Sequence, residues 1–282
     1  MTEDSNIETQ IDKIVKSIKK SKKYRCTNME TIVELVKSEW GHHKTNKKIE
    51  KAARKRLHNI MAPFLGDPDY DKAASDLTHA FQSGNQETVK ETCKQIMSCH
   101  HSTKERLSLL DRFYTKIFSI TGQPNTIIDI ACCLNPLSFP WMGLPNNIEY
   151  YAYDIHEKRI NFINTYFSLQ GLPPLAKVQD MSFHFPQEPA DVALFLKELP
   201  RFERNYGKIS LDLLDALKVR FLVVSFPTYS IRGNRILTKH YRDFFHKLIS
   251  GKGWSVTEIR FESELIFCVD KSTAVEKKHR KA

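Results

Sequence analysis

Three aspartates stand at the carboxyl ends of three successive short apolar runs. Asp129 lies within Thr126-Ile-Ile-Asp-Ile-Ala131, Asp154 directly follows Glu149-Tyr-Tyr-Ala-Tyr153, and Asp180 follows residues 175–179. A carboxylate offers about four acceptor positions, so one placed after a strand can take both hydroxyls of a ribose. A second, one strand further on, can hold the polar edge of a purine. After the first run comes Ala131-Cys-Cys-Leu-Asn-Pro136, a tight loop past which the rest of a nucleoside ligand must run. Such loops favour glycine because the backbone approaches the ligand closely, and this one has none. A small side chain at Cys133 fits such a loop if its φ is negative.

A second constellation is basic. Lys44, Lys48, Lys51 and Lys55 recur four, three and four residues apart, with Lys47 and Arg54 beside them. On a helix that spacing lines one face. The 282-residue chain carries a net charge of +10, unevenly spread: residues 1–60 hold 15 Lys and Arg against 8 Asp and Glu, residues 271–282 hold 5 against 1, and the 210 residues between hold 23 against 24. A basic segment on a neutral body points to a polyanionic partner, although a solvated helix face has the same composition. Phosphate contacts from such a face supply affinity and register rather than sequence preference.

The elements that must position these residues follow from periodicity. Apolar residues recur at helical spacing in Ile11, Ile14, Val15 and Ile18, in Ile32, Val33, Val36 and Trp40, and in Ile49, Ala53, Leu57, Ile60 and Phe64. The third of these helices carries the lysine ridge opposite its apolar face, and the segment from Pro63 to Pro68 ends it. Further helices are expected around 69–82 and 86–99. Ser102-Thr-Lys-Glu105 has the form of a capping box and predicts a helix carrying Leu107, Leu110, Tyr114, Ile117 and Phe118.

Strands and helices then alternate. Strands are expected at 126–131, 149–153, 175–179, 191–196 and 220–226, and helices at 156–169, 203–218 and 238–250. Two strand-like runs, 254–261 and 264–269, close the chain without a helix between them. This order predicts a parallel sheet covered on both faces, with an antiparallel hairpin at its end and a ligand at the strand carboxyl ends near the switch point. The fold class expected is α/β: a Rossmann-like S-adenosylmethionine-dependent methyltransferase domain over 105–282, preceded by an all-α domain over 1–104.

Other classes are disfavoured. No stretch approaches the roughly 20 apolar residues that span a bilayer, and the first 25 residues are polar and Lys-rich, unlike a secretion signal. A cytoplasmic location without membrane association is expected. The six cysteines show no repeated spacing, so no disulfide framework is expected. Cys93, Cys99, His100 and His101 lie close together, but no second pair follows at zinc-ligand spacing, and no metal is expected. Trp40 is read as core by its spacing; Tyr24, Phe139 and Trp141 are either core or stacking residues.

Several motifs then appear in order: Ser21-Lys-Lys-Tyr-Arg25, Glu39-Trp-Gly-His-His-Lys44, Ala52-Ala-Arg-Lys-Arg-Leu-His58, His100-His-Ser-Thr-Lys-Glu-Arg106, Asp129-Ile-Ala-Cys-Cys-Leu-Asn-Pro136, Tyr153-Asp-Ile-His156, Leu196-Lys-Glu-Leu-Pro200 and Val224-Ser-Phe-Pro-Thr228. Together they resemble the aminoglycoside-resistance 16S ribosomal RNA methyltransferases that act on N7 of the guanine at position 1405, over about residues 10–270. The resemblance implies S-adenosylmethionine as cofactor and the assembled 30S subunit as partner. It also implies resistance to 4,6-disubstituted deoxystreptamines such as gentamicin and kanamycin. The protein is expected to act as a monomer.

By position, the resemblance places Arg106 at the cofactor carboxylate with His100 and Ser102 nearby. Ala131 lines the methionine path, Asp154 holds the ribose, Gln179 and Asp180 hold the adenine end, and Leu196 packs beside the cofactor. Lys197 matches a lysine that handles the target nucleotide. An arginine in the loop after Ser-Phe-Pro acts with it, for which Arg235 and Arg232 are the candidates; Arg235 is assigned to the reacting nucleotide and Arg232 to RNA contact. Lys44, Lys47, Lys48, Lys51, Arg54 and Lys55 are assigned to RNA. The chain departs from the family pattern at Cys133, where glycine is usual, at Tyr229, where arginine is common, and at Tyr206, where glutamine is common. A methyltransferase acting on a different RNA atom, and a ribosome-binding relative without catalysis, share these features.

Overall fold

The computed structural model describes residues 3–61, 67–206, 209–230 and 233–272. It opens with three helices: α1 (Glu3–Lys19), α2 (Met29–Glu39) and α3 (Asn46–Met61). Asn28 starts α2 by accepting the Glu30 amide through its side chain at 3.1 Å, filling one donor that a helix start leaves unpaired. The apolar stripes read from the sequence meet here. Ile14, Ile18, Ile32, Val36, Ala53 and Leu57 belong to one buried cluster, with Tyr24 inside it and Trp40 packed against it. Phe64 and Pro63 lie outside the described residues.

Helices α4 (Tyr70–Gln82) and α5 (Gln86–Met97) follow, capped by the side chains of Asp69 and Asn85. Their inner faces, including Leu77, Val89 and Cys93, join the core that lies on one side of the sheet. The break between cores therefore falls between Ile60 and Ala73, whereas the division expected at residue 104 rests on a change of pattern further along.

The expected capping box at Ser102 does not form. A four-residue helix, α6 (His101–Lys104), and a 3-10 turn (Leu107–Leu109) precede α7 (Leu110–Thr121). The Ser102 hydroxyl pairs with His100 Nδ1 at 3.0 Å, and Thr103 donates to the carbonyls of Met97 and His100. Ser102 and Thr103 thus lie inside this short helix, and neither side chain caps the start of α7.

The sheet comprises β1 (Thr126–Ile130), β2 (Glu149–Asp154), β3 (Ala176–Val178), β4 (Ala190–Leu196), β5 (Val219–Pro227), β6 (Ser255–Arg260) and β7 (Glu264–Asp270) in the order β3-β2-β1-β4-β5-β7-β6. All neighbours are parallel except β7, which runs antiparallel to β5 and β6. The order reverses between β1 and β4, so the ends of β1, β2 and β4 frame the crevice where such sheets bind ligands. Helix α8 (Glu157–Gln170) follows β2, and α11 (Thr238–Leu248) follows β5. The single helix expected over 203–218 is two, α9 (Leu199–Tyr206) and α10 (Ile209–Ala216). Helix α9 starts early because Pro200 sits in its first turn, where a missing amide hydrogen costs nothing.

Candidate active site

The loop after β1 is anchored from below. Asp129 is buried, and its Oδ2 accepts from Tyr150 Oη at 2.8 Å and Asn135 Nδ2 at 2.9 Å. Burial pushes its carboxyl up to about 7. Asn135 Oδ1 in turn accepts from Arg106 Nη1 at 2.7 Å and Tyr114 Oη at 2.8 Å. Arg106, also buried, donates from Nε and Nη2 to Glu264 at 3.1 and 2.8 Å. Three of its five N–H donors are thus used, and the guanidinium still lines a crevice with Ser102, Ala131, Cys133, Leu196 and Glu198.

Ala131 and Cys133 have φ of +51° and +49°. The negative φ that would let a small side chain fit at Cys133 is therefore not found: the loop adopts the left-handed turn that glycine would favour, and a cysteine bears it. With Lys197 at +62°, these are the three non-glycine residues of positive φ among those described. All three sit at the ends of β1 and β4, and strained backbone clusters at functional sites.

Asp154 is fixed on every side but one. Its Oδ1 accepts the His156 amide at 2.9 Å, and its Oδ2 accepts the Cys133 amide at 3.1 Å and Arg159 Nη1 at 2.8 Å. Arg159, fully buried at the start of α8, also reaches Asp67 at 2.7 Å and Tyr70 Oη at 3.1 Å. Gln179 donates its amide to the Asp154 carbonyl at 3.0 Å. Asp180 accepts from Thr31 of α2 at 2.8 Å and from the amide and hydroxyl of Ser182. Asp154, Gln179 and Asp180 line one slot together with Ile60, Met181 and Phe195.

The slot and the crevice share Ala131 and Glu198. Two carboxylates in an apolar slot suit a ribose and an aminopurine; a buried guanidinium in the adjoining crevice suits an amino-acid carboxylate. These residues fit S-adenosylmethionine, whose two halves meet at its sulfur. His100 is buried beside the crevice, and burial together with the nearby Arg159 charge lowers its pKa to about 4, so its imidazole is neutral at pH 7.

Outward from Glu198 lies a basin of about 520 Å³ lined by His100, Lys197, Arg201, Arg204, Tyr229 and Tyr241 among others. Lys197 is held in its wall. Its amide bonds Ser225, and its Nζ lies 2.7 Å from Glu105 and 3.5 Å from Glu264. Glu198 was not singled out in the sequence, although it borders slot, crevice and basin. Burial raises its carboxyl to about 7 despite the ion pair with Arg201. Its signal was an acid at the end of a fourth strand, next to Lys197. Arg159 and Glu264 were also missed.

Two of the assigned arginines stand apart. Arg235 is exposed in the turn after β5, its carbonyl accepting the Ser230 amide at 2.9 Å, and it is not among the residues lining the basin. Arg232 lies outside the described residues. On α3, Lys48, Lys51, Lys55 and Arg56 share a shallow groove with Glu39 and His43, and Lys44 and Lys47 are exposed nearby. Arg54 instead turns toward α1, bonding Glu50 at 2.8 Å and the Ser17 carbonyl at 2.9 Å. Among the described residues no group of three or more His, Cys, Asp or Glu is placed to hold a metal, and no helix is long and apolar enough to cross a membrane.

A seven-stranded sheet of this order, with one acid ending β2, another following β3 and a strained loop after β1, defines an S-adenosylmethionine-dependent methyltransferase. More narrowly, the chain belongs to the ribosomal RNA methyltransferase (FmrO) family, whose model matches residues 20–268. It is 31% identical over 268 residues to the 16S rRNA (guanine(1405)-N(7))-methyltransferase of Micromonospora echinospora, spanning 94% of this chain and 98% of that one. It is 32% identical over 263 residues to the enzyme of the same name from Serratia marcescens, spanning 93% and 99%. Among solved structures, the 16S rRNA methyltransferase RmtF in complex with S-adenosyl-L-homocysteine superposes with a TM-score of 0.80 at 27% identity, covering 96% of this chain and 99% of that one. The 16S rRNA methylase RmtB gives 0.76 at 30% identity, covering 92% and 98%.

Proposed function

We infer that this chain transfers a methyl group from S-adenosylmethionine to N7 of guanine 1405 of 16S rRNA. The observation that carries the reading is the meeting of slot, crevice and basin at Glu198. A nucleoside–amino-acid cofactor lying in the first two presents its centre to the third. A basin of about 520 Å³ is of the size that takes a small ligand, and its basic and aromatic walls suit an extruded nucleotide.

The chemistry asks little of the protein beyond placement. When bound, S-adenosylmethionine supplies a methyl group on a sulfonium. Guanine N7 has a free lone pair at neutral pH, so no general base is needed and catalysis is mostly proximity and orientation. Asp154 orients the ribose, Arg106 the amino-acid end, and Lys197, steadied by Glu105, faces the entering nucleotide. N7 lies in the deep, narrow groove of A-form RNA, so the base is flipped out at a cost of a few kcal/mol. The lysines of α3 bind phosphates of the assembled 30S subunit and hold the enzyme in register. Residues 1–104 act as the docking region, 105–282 as the catalytic one, and the protein acts as a cytoplasmic monomer.

The product carries a methyl group and a positive charge on the guanine. Both oppose a cationic drug at that position, which accounts for resistance to 4,6-disubstituted deoxystreptamines. The test is transfer of labelled methyl to purified 30S subunits, followed by mapping of the modified nucleotide. Label at N7 of guanine 1405 supports the proposal. Label on another nucleotide refutes the target, and absence of S-adenosylmethionine binding by calorimetry refutes the enzyme.

A further inference from the structure

We propose that Thr31, on the N-terminal helical unit, is a positioning residue of the cofactor site that aims Asp180 at the adenine amino group. The proposal rests on the reading of Asp180 as the residue that holds adenine. Thr31 is fully buried on α2, 149 residues from Asp180 in sequence, and its hydroxyl donates to Asp180 Oδ2 at 2.8 Å. Asp180 is itself only 4% exposed. Its donors are all uncharged: the amide of Ser182 at 2.9 Å and the Ser182 hydroxyl on Oδ1, and Thr31 on Oδ2.

A carboxylate has about four acceptor positions. Ser182 fills both on Oδ1 and Thr31 fills one on Oδ2, so a single position on Oδ2 remains for a donor in the slot that Asp180 lines. An adenine 6-amino group is such a donor. Without the Thr31 hydroxyl, Oδ2 has two open positions, and nothing on that side fixes the rotation of the carboxylate.

The contact does not depend on a loosely attached helix. The Asn28 amide donates to the Ile155 carbonyl and the Glu157 amide to the Cys26 carbonyl, both at 2.8 Å. Lys19 bridges the Thr27 carbonyl at 2.7 Å and Glu157 at 3.0 Å. Ile60 of α3 supplies part of the slot wall. The helical unit therefore contributes atoms to the cofactor site as well as a surface for RNA.

The experiment measures, by calorimetry on the full chain, binding of S-adenosylhomocysteine and of its analogue with hydrogen in place of the adenine 6-amino group. Wild type, Thr31→Val and Thr31→Ser are compared, with thermal melting of each to report folding and Thr31→Ala as a second hydroxyl-free variant. Wild type should prefer the amino ligand by about tenfold, the worth of one such hydrogen bond. Thr31→Val should lose that preference while binding the desamino analogue as wild type does, and Thr31→Ser should restore it. Equal weakening of both ligands in Thr31→Val and Thr31→Ala, or an intact amino preference in either, overturns the positioning role. No amino preference in the wild type overturns the reading of Asp180 first, and the role of Thr31 with it.

Discussion

Replacing Glu264 by glutamine should lower the stability of the fold substantially. Glu264 opens β7 and is fully buried. Its carboxylate accepts twice from Arg106, at 3.1 and 2.8 Å, and once from Ser225 Oγ at 2.5 Å, and it lies 3.5 Å from Lys197 Nζ. Glutamine keeps the shape and removes the charge. Lys197 would retain Glu105 at 2.7 Å, but Arg106 would be left with neutral Asn135 as its nearest remaining partner. Stranding one member of a buried pair costs about 3–5 kcal/mol. At roughly 2–4 °C per kcal/mol for a domain approaching this size, the melting temperature should fall by about 6–20 °C. Urea titration and thermal denaturation followed by circular dichroism measure both quantities. The pH dependence supplies an independent check. Burial by itself would raise the Glu264 pKa, but the charges of Arg106 and Lys197 outweigh it and hold the carboxyl below its usual 4.5. A depressed folded-state pKa gives stability that is complete above the unfolded value and is lost as pH falls through the folded one. The gap between wild type and Glu264→Gln should therefore be wide at pH 7 and narrow on acidification below about 4.5. A loss under about 1 kcal/mol, or a gap that stays constant into acid, would refute the reasoning.

Charge reversal at Lys48, Lys51 and Lys55 together should abolish 30S binding and leave S-adenosylhomocysteine affinity unchanged; parallel loss of both would point to misfolding rather than to lost phosphate contacts. Lys197→Ala should lower turnover about a hundredfold, the scale of a misplaced reactant, with cofactor affinity within about threefold; retained methylation would remove Lys197 from target handling. Glu198 titrates near pH 7, and its ionised form should favour a sulfonium beside it. S-adenosylmethionine affinity should thus rise from pH 6 to pH 8 in wild type, more than that of S-adenosylhomocysteine, whose sulfur is uncharged, and Glu198→Gln should flatten the difference. An unchanged profile in the variant would mean that Glu198 does not face the sulfur.

What the sequence showed and what it hid divide along physical lines. Asp154 and Asp180 were legible because strand ends can be counted from alternating pattern, and a strand end in a parallel sheet already has an address. The basic face of α3 was legible for the same kind of reason, as helical spacing shows which lysines share a side. The role of Asp129 was not: on a strand inside the sheet, the pleat turns its side chain down to Tyr150 and Asn135. Thr31 and Glu264 act across 149 and 158 residues of sequence, and no local pattern reports such pairing. Ser102 failed as a helix start because His100, two residues back, took its hydroxyl. Arg54 sits on the lysine ridge by number, but its place on the flank of α3 brings it to Glu50 and Ser17.

The glycine missing from the loop after β1 can be tested at Cys133. Its φ of +49° costs an L-residue roughly 1–2 kcal/mol, a penalty that cysteine and alanine both bear and glycine does not. Against this, the side chain is 4% exposed within the main core, and its sulfur makes contacts that either replacement loses. Cys133→Ala keeps the strain and loses the sulfur, so it should be the less stable of the two. Cys133→Gly loses sulfur and Cβ and adds chain entropy of about 0.5–1 kcal/mol, but relieves the backbone; it should fall within about 1 kcal/mol of wild type. Because the Cys133 amide, not its side chain, bonds Asp154 at 3.1 Å, both variants should hold S-adenosylhomocysteine nearly as wild type does. Melting curves and calorimetry on the pair decide it. If glycine proves less stable than alanine, packing of the Cβ outweighs backbone strain at this loop, and the cysteine is there for the core rather than tolerated by the turn.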